Sequence, residues 1–325
     1  LPVLEFDHSS RQISVTREIP VALAATEGAN FPSSCTEVAY TTGTVSWTGT
    51  GNAVSSNDTD ASVALNDQEV SEYLYCSNFG FSIPAGATID GVTVEVEQAG
   101  QNAGRIESQS VRLTTDGTTG TLSATDNQSA TTWGTTDTFE TYGGTADNWG
   151  ETYANSDING SNFGVMFAAI KSNNAGNATD GFVDSMRVTI TYTPGTTPTV
   201  TTTATPDSIG FTDATVRGNI TATGSLTPEV RGFVYGTSSS LVGVNVATTT
   251  EAGSFGTGEF TGSLSSLVPN TTYYFRAYAT STVGPAYGAI ENFTTITSGA
   301  VWNATDWLLY DTITIDSTQV DEDLT

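Results

Sequence analysis

Strand-length alternation is the feature that most limits what this chain can fold into. In Ile89-Asp-Gly-Val-Thr-Val-Glu-Val-Glu97, residues Val92, Val94 and Val96 fall on one side, and Thr93, Glu95 and Glu97 on the other. Met186, Val188, Ile190 and Tyr192 repeat the same period of two in Met186-Arg-Val-Thr-Ile-Thr-Tyr192. Successive side chains of a strand point to opposite faces, so each segment reads as a strand with one apolar face and one wet face. Such strands need a second sheet over the apolar face, which points to antiparallel sandwiches. Asn162-Phe-Gly-Val-Met-Phe-Ala168 adds a buried run, and Pro84-Ala-Gly86 is turn chemistry between strands. Only Ala154 to Asn159 suggests a helical turn.

Composition leads to the same class. The chain of 325 residues holds 59 Thr and 32 Ser but one lysine, Lys171. Threonine suits strands, whereas Lys and Glu usually coat helices. Against 35 Asp+Glu stand 9 Lys+Arg, a net charge of −26. That charge repels phosphate and supplies no cations to replace its counterions, so a nucleic-acid partner is excluded. No stretch approaches the roughly 18 consecutive apolar residues of a membrane span, so no membrane insertion is expected. The scarcity of lysine, the acidity and the Thr/Gly/Asn-rich turns fit an extracellular, cell-surface protein.

The chain divides by composition. Residues 1–35 read as an N-terminal extended arm, in which Ile13, Val15, Arg17, Ile19, Val21 and Leu23 alternate with polar or small residues. This pattern predicts an eleven-residue half-buried strand, with Pro20 marking an edge or a bend. It either pairs within its own domain or completes a neighbour's sheet by strand addition. In the second case Ile13, Val15, Ile19, Val21 and Leu23 form the intersubunit strand. Residues 36–193 form a first β-sandwich, 194–197 a linker, and 198–296 a second sandwich. Residues 297–325 carry a further strand, with Trp307, Leu309, Ile313 and Ile315 on one face; they read as a docked strand or the start of another domain.

In the second unit, Leu267-Val-Pro-Asn-Thr-Thr-Tyr-Tyr-Phe-Arg-Ala-Tyr-Ala279 resembles the E–F corner and F strand of a fibronectin type III domain. The resemblance makes Tyr273 the corner tyrosine, whose hydroxyl bonds to nearby backbone. It places strand B at 214–220, strand C at 230–235 and strand G at 289–293. The phrases Arg231-Gly-Phe-Val-Tyr-Gly236 and Tyr274-Phe-Arg-Ala-Tyr-Ala279 bring it closer to bacterial variants, and strand B lacks their animal relatives' tryptophan. The first unit, through residues 79–96, 162–165 and 183–192, resembles a β-sandwich module of bacterial surface proteins and phage structural proteins. That resemblance implies architecture and location, not chemistry.

Little in the chain can carry catalysis. His8, the sole histidine, lies in the arm, where the rigid support that catalytic groups need is missing. Lys171 reads as a solvated residue of a turn-like Lys-Ser-Asn-Asn segment; an isopeptide bond to an Asn or Asp would require it to be buried and assisted by a carboxylate. The carboxylates read as a solvated acidic surface. Cys35 and Cys76 either close one disulfide, tying the arm to the first domain, or remain two buried thiols. Asp58 and Asp60, in Asn57-Asp-Thr-Asp60, could share a calcium ion or simply form a polar turn; no other cofactor is expected. Trp133 and Trp149, like Trp47, are candidates either for glycan stacking or for the core. The fold class expected is all-β: tandem antiparallel β-sandwiches with extended terminal strands. The function expected is non-enzymatic and structural, a subunit of a cell-surface fibre that self-associates by β-strand addition. The alternatives are an adhesin binding a surface polysaccharide and a phage fibre or decoration protein.

Overall fold

A computed structural model describes residues 3–7, 12–16, 23–172 and 176–297. The fold is all-β, with several antiparallel sheets, one four-residue helix (α1, Asn155–Ile158) and two short 3-10 turns among these residues. The chain folds as two compact units, with the change falling between Thr197 and Pro198.

The first unit contains strands β1 (Val3–Asp7), β2 (Gln12–Thr16), β3 (Ala25–Asn30), β4 (Ser34–Val38), β5 (Ala61–Leu65) and β6 (Tyr73–Ser77). They are followed by β7 (Thr88–Gly100), β8 (Ile106–Thr114), β9 (Thr138–Gly143), β10 (Gly164–Lys171) and β11 (Thr179–Thr193). One sandwich sheet has the order β4-β6-β10-β8; the other runs β3-β11-β7-β9, with β5 also on β11. The alternation seen in the sequence is satisfied here: Val92, Val94, Val96, Met186, Val188 and Ile190 are all buried in one core. The outward residues are only half-exposed. Arg187 donates two hydrogen bonds of 2.8 Å to Glu95 and lies 3.9 Å above the Phe139 ring, so this wet face is laced by charge. β10 is buried on both faces. Val165, Phe167 and Ala169 enter the main core, while Met166 and Ala168 join Tyr73 in a second cluster under Tyr40, Tyr75 and Leu122. Double burial explains why its sequence reads as an unbroken apolar run rather than as alternation.

The second unit contains β12 (Thr199–Thr202), β13 (Ser208–Ile209), β14 (Ala214–Ala222), β15 (Val230–Gly236) and β16 (Val246–Ala252). It continues with β17 (Gly258–Leu264), β18 (Thr272–Ser281), β19 (Gly284–Tyr287) and β20 (Glu291–Thr294). One sheet has the order β12-β14-β13 with β17 on β14; the other has β16-β15-β18-β19 with β20 on β18. Between them Val216, Ile220, Phe233, Phe260, Leu264, Phe275 and Phe293 form the core. At the corner before β18, the Val268 N–H donates to Tyr273 Oη at 3.0 Å, and the Tyr273 ring lies 6.0 Å from that of Phe293. A buried ring with its hydroxyl on backbone anchors the turn to the sheet that follows.

Candidate functional site

Four places could carry a function. The first is the N-terminal hairpin. β2 pairs antiparallel with β1, Phe6 standing opposite Ile13 and Leu4 opposite Val15, and this two-stranded sheet pairs with neither sandwich sheet. The eleven-residue strand expected from the alternation is thus a five-residue strand among the described residues, folded on a partner of its own. Leu23 lies outside any strand and is 87% exposed, two residues before β3 begins. Ile19, Val21 and His8 lie outside the described residues, as do the strand expected at 307–315 and the remainder of 298–325.

The second is the cystine. Cys35 of β4 stands directly opposite Cys76 of β6, and the two are joined in a disulfide with both residues buried. Cys35 is therefore part of a sandwich sheet. The bond ties an edge strand to its neighbour instead of tying an arm to a domain.

The three tryptophans among the described residues are core residues. Trp133 is 2% exposed, stacks on Phe167 at 5.8 Å and donates to Ser108 Oγ. Trp149 is completely buried and donates to the Val92 carbonyl at 2.8 Å. Its indole passes over Gly143, where φ is +70° and a Cβ would strike both the Val92 carbonyl and the indole nitrogen. Trp47 donates to the Glu72 carbonyl and is likewise buried. With no ring face open, stacking on a sugar is not available to Trp133 or Trp149; their buried N–H groups are satisfied inside the protein.

The third place is acidic. Asp58 and Asp60 occupy a loop that Asp184 closes, its carboxylate accepting from the Asn57 N–H at 2.9 Å and the Thr59 N–H at 3.1 Å. Asp184 is 1% exposed and sits where the β11–β7 register shifts between Val183 and Ser185. Asp60 and Asp137 each keep a buried Oδ1 with no hydrogen-bond donor. Burial first, and then the neighbouring carboxylates, raise the pKa of both: Asp137, Asp184, Asp58 and Glu97 act on Asp60, and Asp184, Glu97 and Asp58 on Asp137. Sequence reasoning found Asp58 and Asp60 through their spacing but missed Asp137, Asp184 and Glu97. Glu97 lies in β7, Asp184 in β11 and Asp137 just before β9, far along the chain, and no local pattern marks them. Among the described residues no group of three or more His, Cys, Asp or Glu side chains is arranged to hold a metal ion. The arrangement can take up protons, since like charges at short range cannot all ionise freely.

The fourth is Lys171. It ends β10 on the same face as Val165, Phe167 and Ala169, its side chain is wholly buried, and Nζ is paired with the Asp67 carboxylate. The solvated loop lysine expected from Lys-Ser-Asn-Asn is corrected: the strand extends one residue further than its apolar run, and the carboxylate makes burial of the charge tolerable. A surface depression of about 580 Å³ in the second unit, by contrast, is lined by arginines already engaged. Arg217 pairs with Asp207 and Glu259, and Arg231 with Glu251.

No protein-family model matches the chain, and no curated protein sequence does. Solved structures share only the sandwich fold. The short sensor-domain structure of the anti-sigma factor RsgI4 from Pseudobacteroides cellulosolvens is 15% identical over 32% of this chain and 98% of its own, with a TM-score of 0.26. A human fibronectin type III domain, the fourth FNIII domain in its solution structure, is 16% identical over 33% of this chain and 86% of its own, TM-score 0.26. The FN1–FN3 domains of chicken CNTN1 are 10% identical over 72% of this chain and 63% of their own, again at 0.26. These values describe a loose likeness in fold at low identity and carry nothing about chemistry. Among the described residues no helix is long and apolar enough to cross a membrane.

Proposed function

We propose that this chain is a non-enzymatic extracellular structural protein, a subunit of a cell-surface fibre whose N-terminal hairpin adds to the sheet of a neighbouring copy. The observation that carries this reading is the separateness of β1 and β2 from both sandwich sheets. A lone hairpin of five-residue strands is marginally stable in water, and its outer edges present unpaired N–H and C=O groups. Alignment along a partner's sheet edge satisfies those groups, and the alternating apolar residues Ile13 and Val15 supply one buried face. The two sandwiches then act as rigid spacers. A formed disulfide supports an oxidising compartment.

The test is assembly of the full chain, followed by sedimentation and negative-stain electron microscopy. Val15→Asp should abolish filaments while leaving both thermal transitions of the sandwiches in place. Filaments of normal length from Val15→Asp, or a wild-type protein that stays monomeric at every concentration, would overturn the proposal.

A further inference from the structure

We propose that Lys171 and Asp67 are joined by an intramolecular isopeptide bond between the end of β10 and the turn that follows β5. The proposal does not depend on whether the protein forms fibres. Lys171 ends β10, and Asp67 lies in the turn that follows β5, just before the segment whose Val70 bridges Ile170 of β10. The lysine side chain is 0% exposed and that of Asp67 is 37% exposed, and Nζ meets Oδ1 of the carboxylate.

The backbone immediately after Asp67 holds this meeting in place. The Gln68 N–H donates to the Lys171 carbonyl at 2.9 Å, and the Lys171 N–H donates to the Glu69 carbonyl at 3.2 Å. Within the turn, the Glu69 N–H donates to the Asn66 carbonyl, and the Glu69 carboxylate accepts from both nitrogens of Asn66. Gln68 takes φ of +62°, and its Nε2 donates to the Ser172 carbonyl at 2.8 Å. The amine and the carboxyl are thus fixed against one another before any reaction, the condition under which an otherwise slow condensation becomes effectively unimolecular.

The step balances without a co-reactant. Starting from the ammonium–carboxylate pair, a bond forms between Nζ and Cγ and one Cγ–O bond breaks. Two protons leave the nitrogen with the departing oxygen as one water, and a neutral amide with one N–H remains. Two opposite charges disappear, one of them from a wholly buried lysine side chain, so the neutral amide suits that position better than the ion pair does. The partial exposure of Asp67 gives the water an exit.

The experiment is an intact mass of the full-length chain, denatured and with its disulfide reduced. A mass about 18 Da below that of the linear, reduced chain is expected, with a branched peptide joining Asp67 to Lys171 on fragmentation. Asp67→Ala and Lys171→Met should each show the full mass of their own sequences. Because Lys171 is the only lysine, an amine-acylating reagent added to the denatured wild type should label the N-terminus alone, whereas Asp67→Ala should take up two labels. The wild type decides the matter even if a variant fails to fold. A full-mass wild type with an acylated Lys171 would overturn the proposal and leave a buried ion pair. So would a water loss that persists in both variants, which would place the dehydration at an Asp-Gly step such as Asp90-Gly91.

Discussion

Replacing Cys35 and Cys76 together by alanine tests the covalent constraint that the disulfide places on the first unit. The two residues are 41 apart in sequence. Closing a loop of that length removes roughly 13 cal/mol/K from the unfolded chain, about 4 kcal/mol near room temperature. The alanines also delete two buried sulfurs, since Cys76 is fully buried and Cys35 nearly so. That change acts in the same direction and adds on the order of 1 kcal/mol. For a unit of this size each kcal/mol moves the midpoint by about 2–4 °C, so the double variant should melt roughly 10–20 °C lower. Scanning calorimetry is the assay, because the second unit supplies an internal reference. Its core shares no residue with the first, so its transition should stay in place. A loss below about 1 kcal/mol in the first transition would refute the loop-entropy reasoning. It would mean that the reduced chain already keeps β4 and β6 together when unfolded.

Two further outcomes follow from single side chains. Tyr273→Phe keeps the ring against Phe293 but removes the acceptor for the Val268 N–H; it should lower the stability of the second unit by about 1–2 kcal/mol in urea, and an unchanged midpoint would show that the corner bond contributes nothing. Asp137→Asn should stabilise the first unit near neutral pH, by roughly 0.5–1 kcal/mol. The sign comes from the raised folded-state pKa of Asp137: its contribution to stability is full below the ordinary carboxylate pKa and is lost as pH rises through the raised value. The gain from the asparagine should therefore shrink as the wild type is acidified, and a gain that is constant with pH would rule out this origin.

The parts of the fold legible in the sequence are those with a strong burial pattern, one-sided in β7 and β11 and two-sided in β10. β7 and β11 announce themselves because valine and isoleucine alternate with threonine and glutamate over many residues. β18 is readable because its corner tyrosine and its alternating ring residues come together in one phrase. β3 and β4 were hidden. Ala25–Asn30 is largely exposed along an edge, and Ser34–Val38 buries only Cys35, so neither carries enough apolar contrast to separate it from an arm. Lys171 was misread for the opposite reason: a lysine beside Ser-Asn-Asn looks wet, and the carboxylate that reconciles it with the interior, Asp67, lies far earlier in the chain. The acidic group of Asp60, Asp137, Asp184 and Glu97 depends in the same way on strand neighbours. Those neighbours are set by sheet order, which no local spacing encodes.

The pairing of the first and last strands of the first sandwich has a mechanical consequence. Ala25, where β3 begins, stands opposite Tyr192, near the end of β11. Tension applied through the chain before residue 25 and after residue 193 therefore acts on one end of a single antiparallel seam. It parts the rungs in succession, from Tyr192–Ala25 towards Val188–Asn30, instead of shearing them all at once. A seam loaded in this way gives at low force. The next strand along, however, is β4, and Cys35 is bonded to Cys76 near the start of its pairing with β6. Tearing from the N-terminal side stops there, with the ten residues from 25 to 34 released and the tryptophan-lined core still closed. The sandwich thus yields a little under load and then holds.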